Sequence, residues 1–254
     1  LKFSNSPTAT LSANTIRDNA AYYAGGGMKD YAGVHFDHSD GATLISNTIS
    51  GNRAANDCGG VCFETSQNAV LSHNVIFSNT RGGGWDGRGV GVYLSNSENA
   101  RLVGNTISSN TAYALDNPGT IWGGGLCIDH STATLISNTI RSNGATRGGG
   151  LYVASNSVVT LTSNTITGNA VYDTCGAWCY DPVGCGGRLH LNDSTATLSN
   201  TFIADNQAET AGGGLYLERG AITLTNSIVA DNQITRTGQI TGTGSGLYIV
   251  GSSA

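Results

Sequence analysis

The residues of this chain best suited to chemistry are Asp37, Glu64 and His35. Asp37 and Glu64 hold the same place in successive copies of a repeat, so stacking would bring their carboxylates to about 5 Å. That separation suits the pair of a retaining glycosidase, or two ligands of a shared hard cation such as calcium. His35 and His38 could transfer protons beside them. However, Asp37-His38-Ser39 returns as Asp129-His130-Ser131, and a tripeptide repeated at one corner reads more simply as a turn in which Asp caps backbone donors. Three consecutive residues cannot align as nucleophile, base and orienter, so this is no hydrolytic triad.

The six cysteines are Cys58, Cys62, Cys127, Cys175, Cys179 and Cys185. Their even number in an Asn-rich, Lys-poor chain reads as disulfides in an oxidising, extracellular compartment, with at least one bridge expected inside 170–186. No Cys-x-x-Cys pair supports zinc. Aromatic residues gather in the insertions: Tyr22, Tyr23, Trp85, Tyr113, Trp122, Tyr172, Trp178 and Tyr180. With Asp and Arg beside them, these rings could stack on sugars or form a protein-binding edge, or they could simply pack on neighbouring loops.

What positions these residues is an internal repeat. The pattern Ile-x-x-Asn closes at Asn19, Asn52, Asn79, Asn110, Asn143, Asn169 and Asn206, with Val229 replacing Ile before Asn232. The spacings run from 26 to 37, so about 26 residues form the minimal unit and the surplus is insertion. Each unit reads Gly-Gly-Gly-Leu-Tyr-Leu, a polar corner, Ala-Thr-Leu, a short link, then Asn-Thr-Ile-x-x-Asn, which gives three short strands of period two. Helix is excluded, because apolar positions do not recur at three or four and Gly and Asn interrupt every window. Eight repetitions of three distinct strand types in a fixed order predict coiling rather than a hairpin sandwich. The fold expected is an all-β, right-handed parallel β-helix of about nine rungs and three sheets, forming one domain over 1–254. Columns such as Ile16, Ile49, Ile76, Ile107, Ile140 and Ile166 would fill its core. Asn14, Asn47, Asn74, Asn105, Asn138 and Asn164 would form an inward, structural amide ladder. The column His35, Cys62, Tyr93, Cys127, Tyr152, His190, Tyr216 and Tyr248 would point outward beside the insertions.

Gly-Gly-Gly-Leu followed by Ile-x-x-Asn resembles the Gly-Gly-Ala-Ile and Phe-x-x-Asn motifs of polymorphic outer-membrane protein repeats and, more widely, secreted parallel β-helix repeat proteins. The resemblance implies a bacterial surface or secreted passenger domain, often adhesive. Ile stands here where that family favours Phe. Polysaccharide lyases on this fold, by resemblance, use a Lys or Arg base with clustered acidic calcium ligands, but Arg188 and Arg219 have no acidic cluster beside them.

Charged residues make up only 11% of the 254 residues and the net charge is -5, with two Lys among twelve cations, so a nucleic-acid partner is excluded. No apolar run is long enough for a transmembrane helix. Both ends fall in phase with the repeat and without a cap, which predicts a segment of a longer solenoid or a subunit stacking end to end. The function expected is a noncatalytic extracellular or cell-surface β-solenoid, an adhesin segment or filament subunit, without cofactor. Its partners would be further copies of itself, or a glycan or protein on a host or cell surface. The alternative is a polysaccharide-active enzyme, hydrolase or lyase, acting through Asp37, Glu64 and His35. A third class is ice binding, suggested by outward Thr10, Thr43, Thr134, Thr160, Thr197 and Thr223. Val70 and Arg101 interrupt that column.

Overall fold

The structure, a computed structural model, describes residues 1–21, 31–55, 58–82, 87–112, 120–172, 188–209, 211–235 and 244–251. Among the described residues there is no helix, and all paired strands run parallel. Each rung supplies, in chain order, one strand to a first sheet of nine strands, from Lys2–Ser4 to Leu247–Val250. It then supplies one to a second sheet of eight and one to a third sheet of eight. Equivalent repeat positions are register partners, as in Leu126 with Leu151, Leu135 with Leu161 and Ile140 with Ile166. The chain is therefore the coil that the repeat implies.

Beyond the three expected sheets lies a fourth ladder of seven two-residue strands, such as Thr80–Arg81 and Ala170–Val171, directly after the closing Asn residues from Asn52 to Asn232. Two residues are too few for a period-two pattern to reveal in sequence. A further pair, Gly87–Arg88 with Ile121–Trp122, joins two insertions.

Apolar side chains of the three main sheets meet along the axis. Ile49, Ile76, Ile107, Ile140 and Ile166 are fully buried there beside the Leu columns of the other two sheets. Phe3, Phe36 and Phe63 stack inside the same core at 4.9 Å spacing.

Three corners of a rung turn through a residue of positive φ, as His130 (φ 47), Ser137 (φ 54) and Ser142 (φ 54) do in one rung. Such a conformation costs a non-glycine residue roughly 1–2 kcal/mol. At the second and third of these corners the Asn that follows offsets it. Asn105 donates through its backbone N and Nδ2 to Asn138 Oδ1 at 2.9 and 3.0 Å, and Nδ2 also reaches Leu71 O at 2.9 Å. The closing Asn residues, read from sequence only as repeat markers, form a second ladder of the same kind, from Asn19 to Asn232.

The Gly run answers a close approach between rungs. A Cβ on Gly149 would fall 2.3 Å from Ala170 O, and one on Gly150 would meet the Asn169 side chain at 2.9 Å. Arg188 takes the place equivalent to Gly150. It is fully buried, and that burial pulls its pKa down to about 9.

Candidate functional site

The outer face of the first sheet gathers the candidate chemical groups. Alternation turns His35, Cys62, Tyr93, Cys127, Tyr152, His190 and Tyr216 away from the core, as the repeat predicts, but it does not leave them exposed. All seven are buried. Insertion residues lie on them: the Tyr31 ring stacks on His35 at 3.8 Å, and Trp122 lies 6.4 Å from Tyr152. Farther along, Tyr152, His190, Tyr216 and Tyr248 form a ring column at 4.7 to 5.2 Å spacing.

Asp37 and Glu64 are register partners on adjacent strands. Both carboxylates are already engaged. Glu64 Oε2 accepts the Tyr31 hydroxyl at 2.7 Å and lies 3.2 Å from His35 Nε2, while Asp37 Oδ1 lies 2.7 Å from His38 Nδ1. Glu64 keeps only 14% of its side chain exposed and His35 only 3%. A carboxylate between a phenol and an imidazole is poised to hold a proton network. Its approach by a polymer chain runs through the Tyr31 ring.

A second cluster repeats this theme two rungs on. Asp129, almost fully buried, is paired with Arg88 Nη1, which also reaches the Tyr93 hydroxyl at 3.5 Å. Arg88 lies over the Trp122 ring at 5.4 Å. His130 Nδ1 stands 3.3 Å from Asp129 Oδ1, close enough for an ion pair but without hydrogen-bond geometry. Burial, then the neighbouring Cys127, pushes the Tyr93 phenol well above its ordinary value. Cys127 is likewise pushed up, first by burial and then by Asp129, so its sulfur stays a thiol rather than a nucleophile.

Ser39 and Ser131 belong to the rung corners. Ser39 N donates to Ser66 Oγ at 3.0 Å, Ser97 N to Ser131 Oγ at 2.9 Å and Ser131 N to Ser157 Oγ at 3.0 Å, which makes a serine ladder. The Asp-His-Ser repeat is thus a corner whose hydroxyl serves the backbone.

Cys58 and Cys62 form a disulfide across Gly59-Gly60-Val61. Cys127 is free and buried, which corrects its assignment as a disulfide candidate: it lies between Tyr93 and Tyr152 in the register, with aromatic rather than cysteine partners. Cys175, Cys179 and Cys185 lie outside the described residues, as do Tyr22, Tyr23, Trp85, Tyr113, Trp178 and Tyr180. Of the aromatic edge, Trp122 is partly buried, whereas Tyr172 is 44% exposed with its ring against Gly144. In native protein the Cys127 peptide is expected to escape alkylation even at about pH 9, where an ordinary thiol is largely thiolate, and to label fully on unfolding. Fast native labelling in a peptide map would contradict the burial.

Residues 1–174 match the family model described as periplasmic copper-binding protein (NosD), and residues 120–254 match the one described as right handed beta helix region. The chain belongs to both families. No curated protein and no solved structure matches it. The kinship of this NosD-family chain is with right-handed β-helices; the narrower resemblance to polymorphic outer-membrane protein repeats gains no support from these matches.

The NosD description names copper, which imidazole, thiolate and thioether ligands would hold. Among the described residues no three His, Cys, Asp or Glu side chains converge. Cys62 is spent in a disulfide, Cys127 stands alone as a thiol, and His35 Nε2 faces Glu64. These residues do not fit a copper ion. The same pairings oppose a calcium shared by Asp37 and Glu64.

Proposed function

We propose that this chain is a noncatalytic structural β-solenoid of the cell envelope or exterior, in which the coil supplies reach and the insertion edge contacts a glycan or a protein. The observation that carries the reading is the engagement of the carboxylates at the best acid-base cluster. Glu64 is held by Tyr31 and His35 beneath a stacked ring, and Asp37 by His38. The remaining polar order runs along the coil, in the Asn and Ser ladders, and serves the scaffold. The periplasmic description of the NosD family, the Cys58–Cys62 disulfide and the sparse charge all accord with an oxidising compartment outside the cytoplasm. As adhesin segment or filament subunit the solenoid would act by length, and electron microscopy of native material for fibres separates those two versions.

Tyr31, His35 and Glu64 also favour a second reading, a polysaccharide-active enzyme, because a buried Glu beside an imidazole is a fit acid-base group. One experiment decides between them. Wild-type protein and Glu64→Gln are incubated with acidic and neutral polysaccharides, and reducing ends and unsaturated products are followed. Gln keeps the shape and can still accept the Tyr31 hydroxyl, so the fold is expected to survive. No turnover by either protein is expected. Turnover by wild type that disappears in Glu64→Gln would replace the structural reading with the enzymatic one.

A further inference from the structure

The outer face of the second sheet changes character along the coil. Its outward pairs in the first four rungs are Thr10 and Ser12, Thr43 and Ile45, Val70 and Ser72, then Arg101 and Val103, which share no common chemistry. In the next four strands, Thr132–Ile136, Val158–Thr162, Thr195–Ser199 and Ala221–Thr225, every rung carries Thr-x-Thr. Thr134, Thr160, Thr197 and Thr223 are successive register partners, an unbroken column. Beside it run Thr162, Ser199 and Thr225 on one flank and Thr132 and Thr195 on the other.

None of the twelve outward positions on these strands is charged. Thr160, Thr197 and Thr223 are exposed, and among the described residues their hydroxyls make no hydrogen bond to the protein. By contrast, the Thr43 hydroxyl folds back onto Gly41 O at 3.1 Å. Strand propensity alone does not account for the array. In the same four rungs the outward residues of the first sheet are Cys127, Asp129, Tyr152, Ala154, His190, Asn192, Tyr216 and Glu218, without a threonine, and in the third sheet the column Thr139 and Thr165 gives way to Phe202 and Ile228.

We propose that this four-strand threonine face binds ice. Neighbouring hydroxyls stand about 4.8 Å apart across strands and about 6.6 Å apart along them, a two-dimensional grid with repeats comparable to the oxygen spacings on hexagonal ice faces. Each threonine of the central column offers a hydroxyl to join the water lattice and a methyl group that limits competing hydration, and β-branching holds both in few rotamers, while on the flanks Thr132 and Thr162 are already bonded to Glu98 and Ser199. The column Thr134, Thr160, Thr197 and Thr223 carries no charge of its own to hold counterions or a competing hydration shell, and a carboxylate meets the array at its first rung, where Glu98 Oε2 accepts the Thr132 hydroxyl at 2.7 Å. Parallel strands in unbroken register repeat the same spacing from rung to rung, so many weak contacts act together. The property is independent of the insertion edge and of the structural role proposed above.

The test is nanolitre osmometry with microscopy of single ice crystals, joined to sedimentation of the same samples. Wild type is expected to facet growing crystals and to hold them below the melting point without growth. Thr160→Tyr and Thr197→Tyr, which keep strand propensity but raise a ring above the grid, are expected to lose this effect to the buffer baseline with unchanged circular dichroism. Val70→Tyr, on the irregular rungs of the same sheet, is expected to retain it. Rounded, freely growing crystals with wild type would overturn the proposal, as would equal loss in Val70→Tyr. Dimers in sedimentation that Thr197→Tyr dissolves would assign the face to a second copy instead.

Discussion

Ile107→Asp is expected to leave no cooperatively folded protein at neutral pH. Ile107 is fully buried and pairs in register with Ile76 on one side and Ile140 on the other. The substitution removes an isoleucine worth roughly 2–3 kcal/mol of apolar burial. It also leaves a carboxylate with no cation in the core, at several kcal/mol more. Total stability of a domain is about 5–15 kcal/mol, so the change consumes a large part of it. Because each rung contacts only its neighbours, the damaged rung separates the coil into two shorter stacks, each with a new unpaired edge. Thr106→Asp, one residue away but outward, is the control and should cost less than about 1 kcal/mol. Far-UV circular dichroism melts of both variants check this. An unchanged transition for Ile107→Asp, or equal losses at both positions, would refute the assignment of faces.

The contrast between Ile107 and Thr106 also marks what the sequence could reveal. Period-two alternation within a repeat of fixed order tells inward from outward, so the coil, its parallel register and the Ile columns were readable from residues alone. Alternation gives a direction, though, and not an environment. His35 and Cys127 do point away from the core, yet they are buried, because what covers them comes from insertions that obey no period. The Arg88–Asp129 pair spans 41 residues and two rungs, and no spacing rule predicts it. Nor does any spacing predict the hydrogen bond from Tyr31 to Glu64, which depends on how the segment before Val34–Asp37 folds back. Counting cysteines suggested pairing without showing that Cys127 has none. The second Asn ladder escaped for a different reason: an Asn of the first ladder heads the Asn-Thr-Ile strand, two residues before an inward Ile, whereas the closing Asn is cut off from that strand by a residue of positive φ and followed by only two strand residues, so no alternation gives its direction.

That second ladder carries the other large effect. Asn110 sits in its middle: Nδ2 donates to Ile76 O at 3.0 Å and to Asn143 Oδ1 at 3.0 Å, and Oδ1 accepts from Asn79 N at 3.1 Å and Asn79 Nδ2 at 3.0 Å. Asn110→Ala removes all four in a site closed to water, and at roughly 1 kcal/mol for each bond the expected loss is about 4 kcal/mol. Asn14→Ala, at an exposed position where Nδ2 reaches only Ser12 O and Asn47 Oδ1, should cost less than about 1 kcal/mol. Asn110→Asp separates hydrogen bonding from packing, since it keeps the shape and the acceptor while setting an anionic oxygen against Ile76 O and Asn143 Oδ1. The folded state then raises the pKa of the introduced carboxylate above its unfolded value near 4. Its protonated form can donate one hydrogen bond, so the variant should approach wild-type stability below about pH 4 and lose stability as pH rises through the elevated folded value. Urea unfolding midpoints measured across that range read the result directly. A flat pH profile for Asn110→Asp, or an Asn110→Ala variant no weaker than Asn14→Ala, would mean that the coil is held by its apolar columns alone and that the amide ladder is incidental to it.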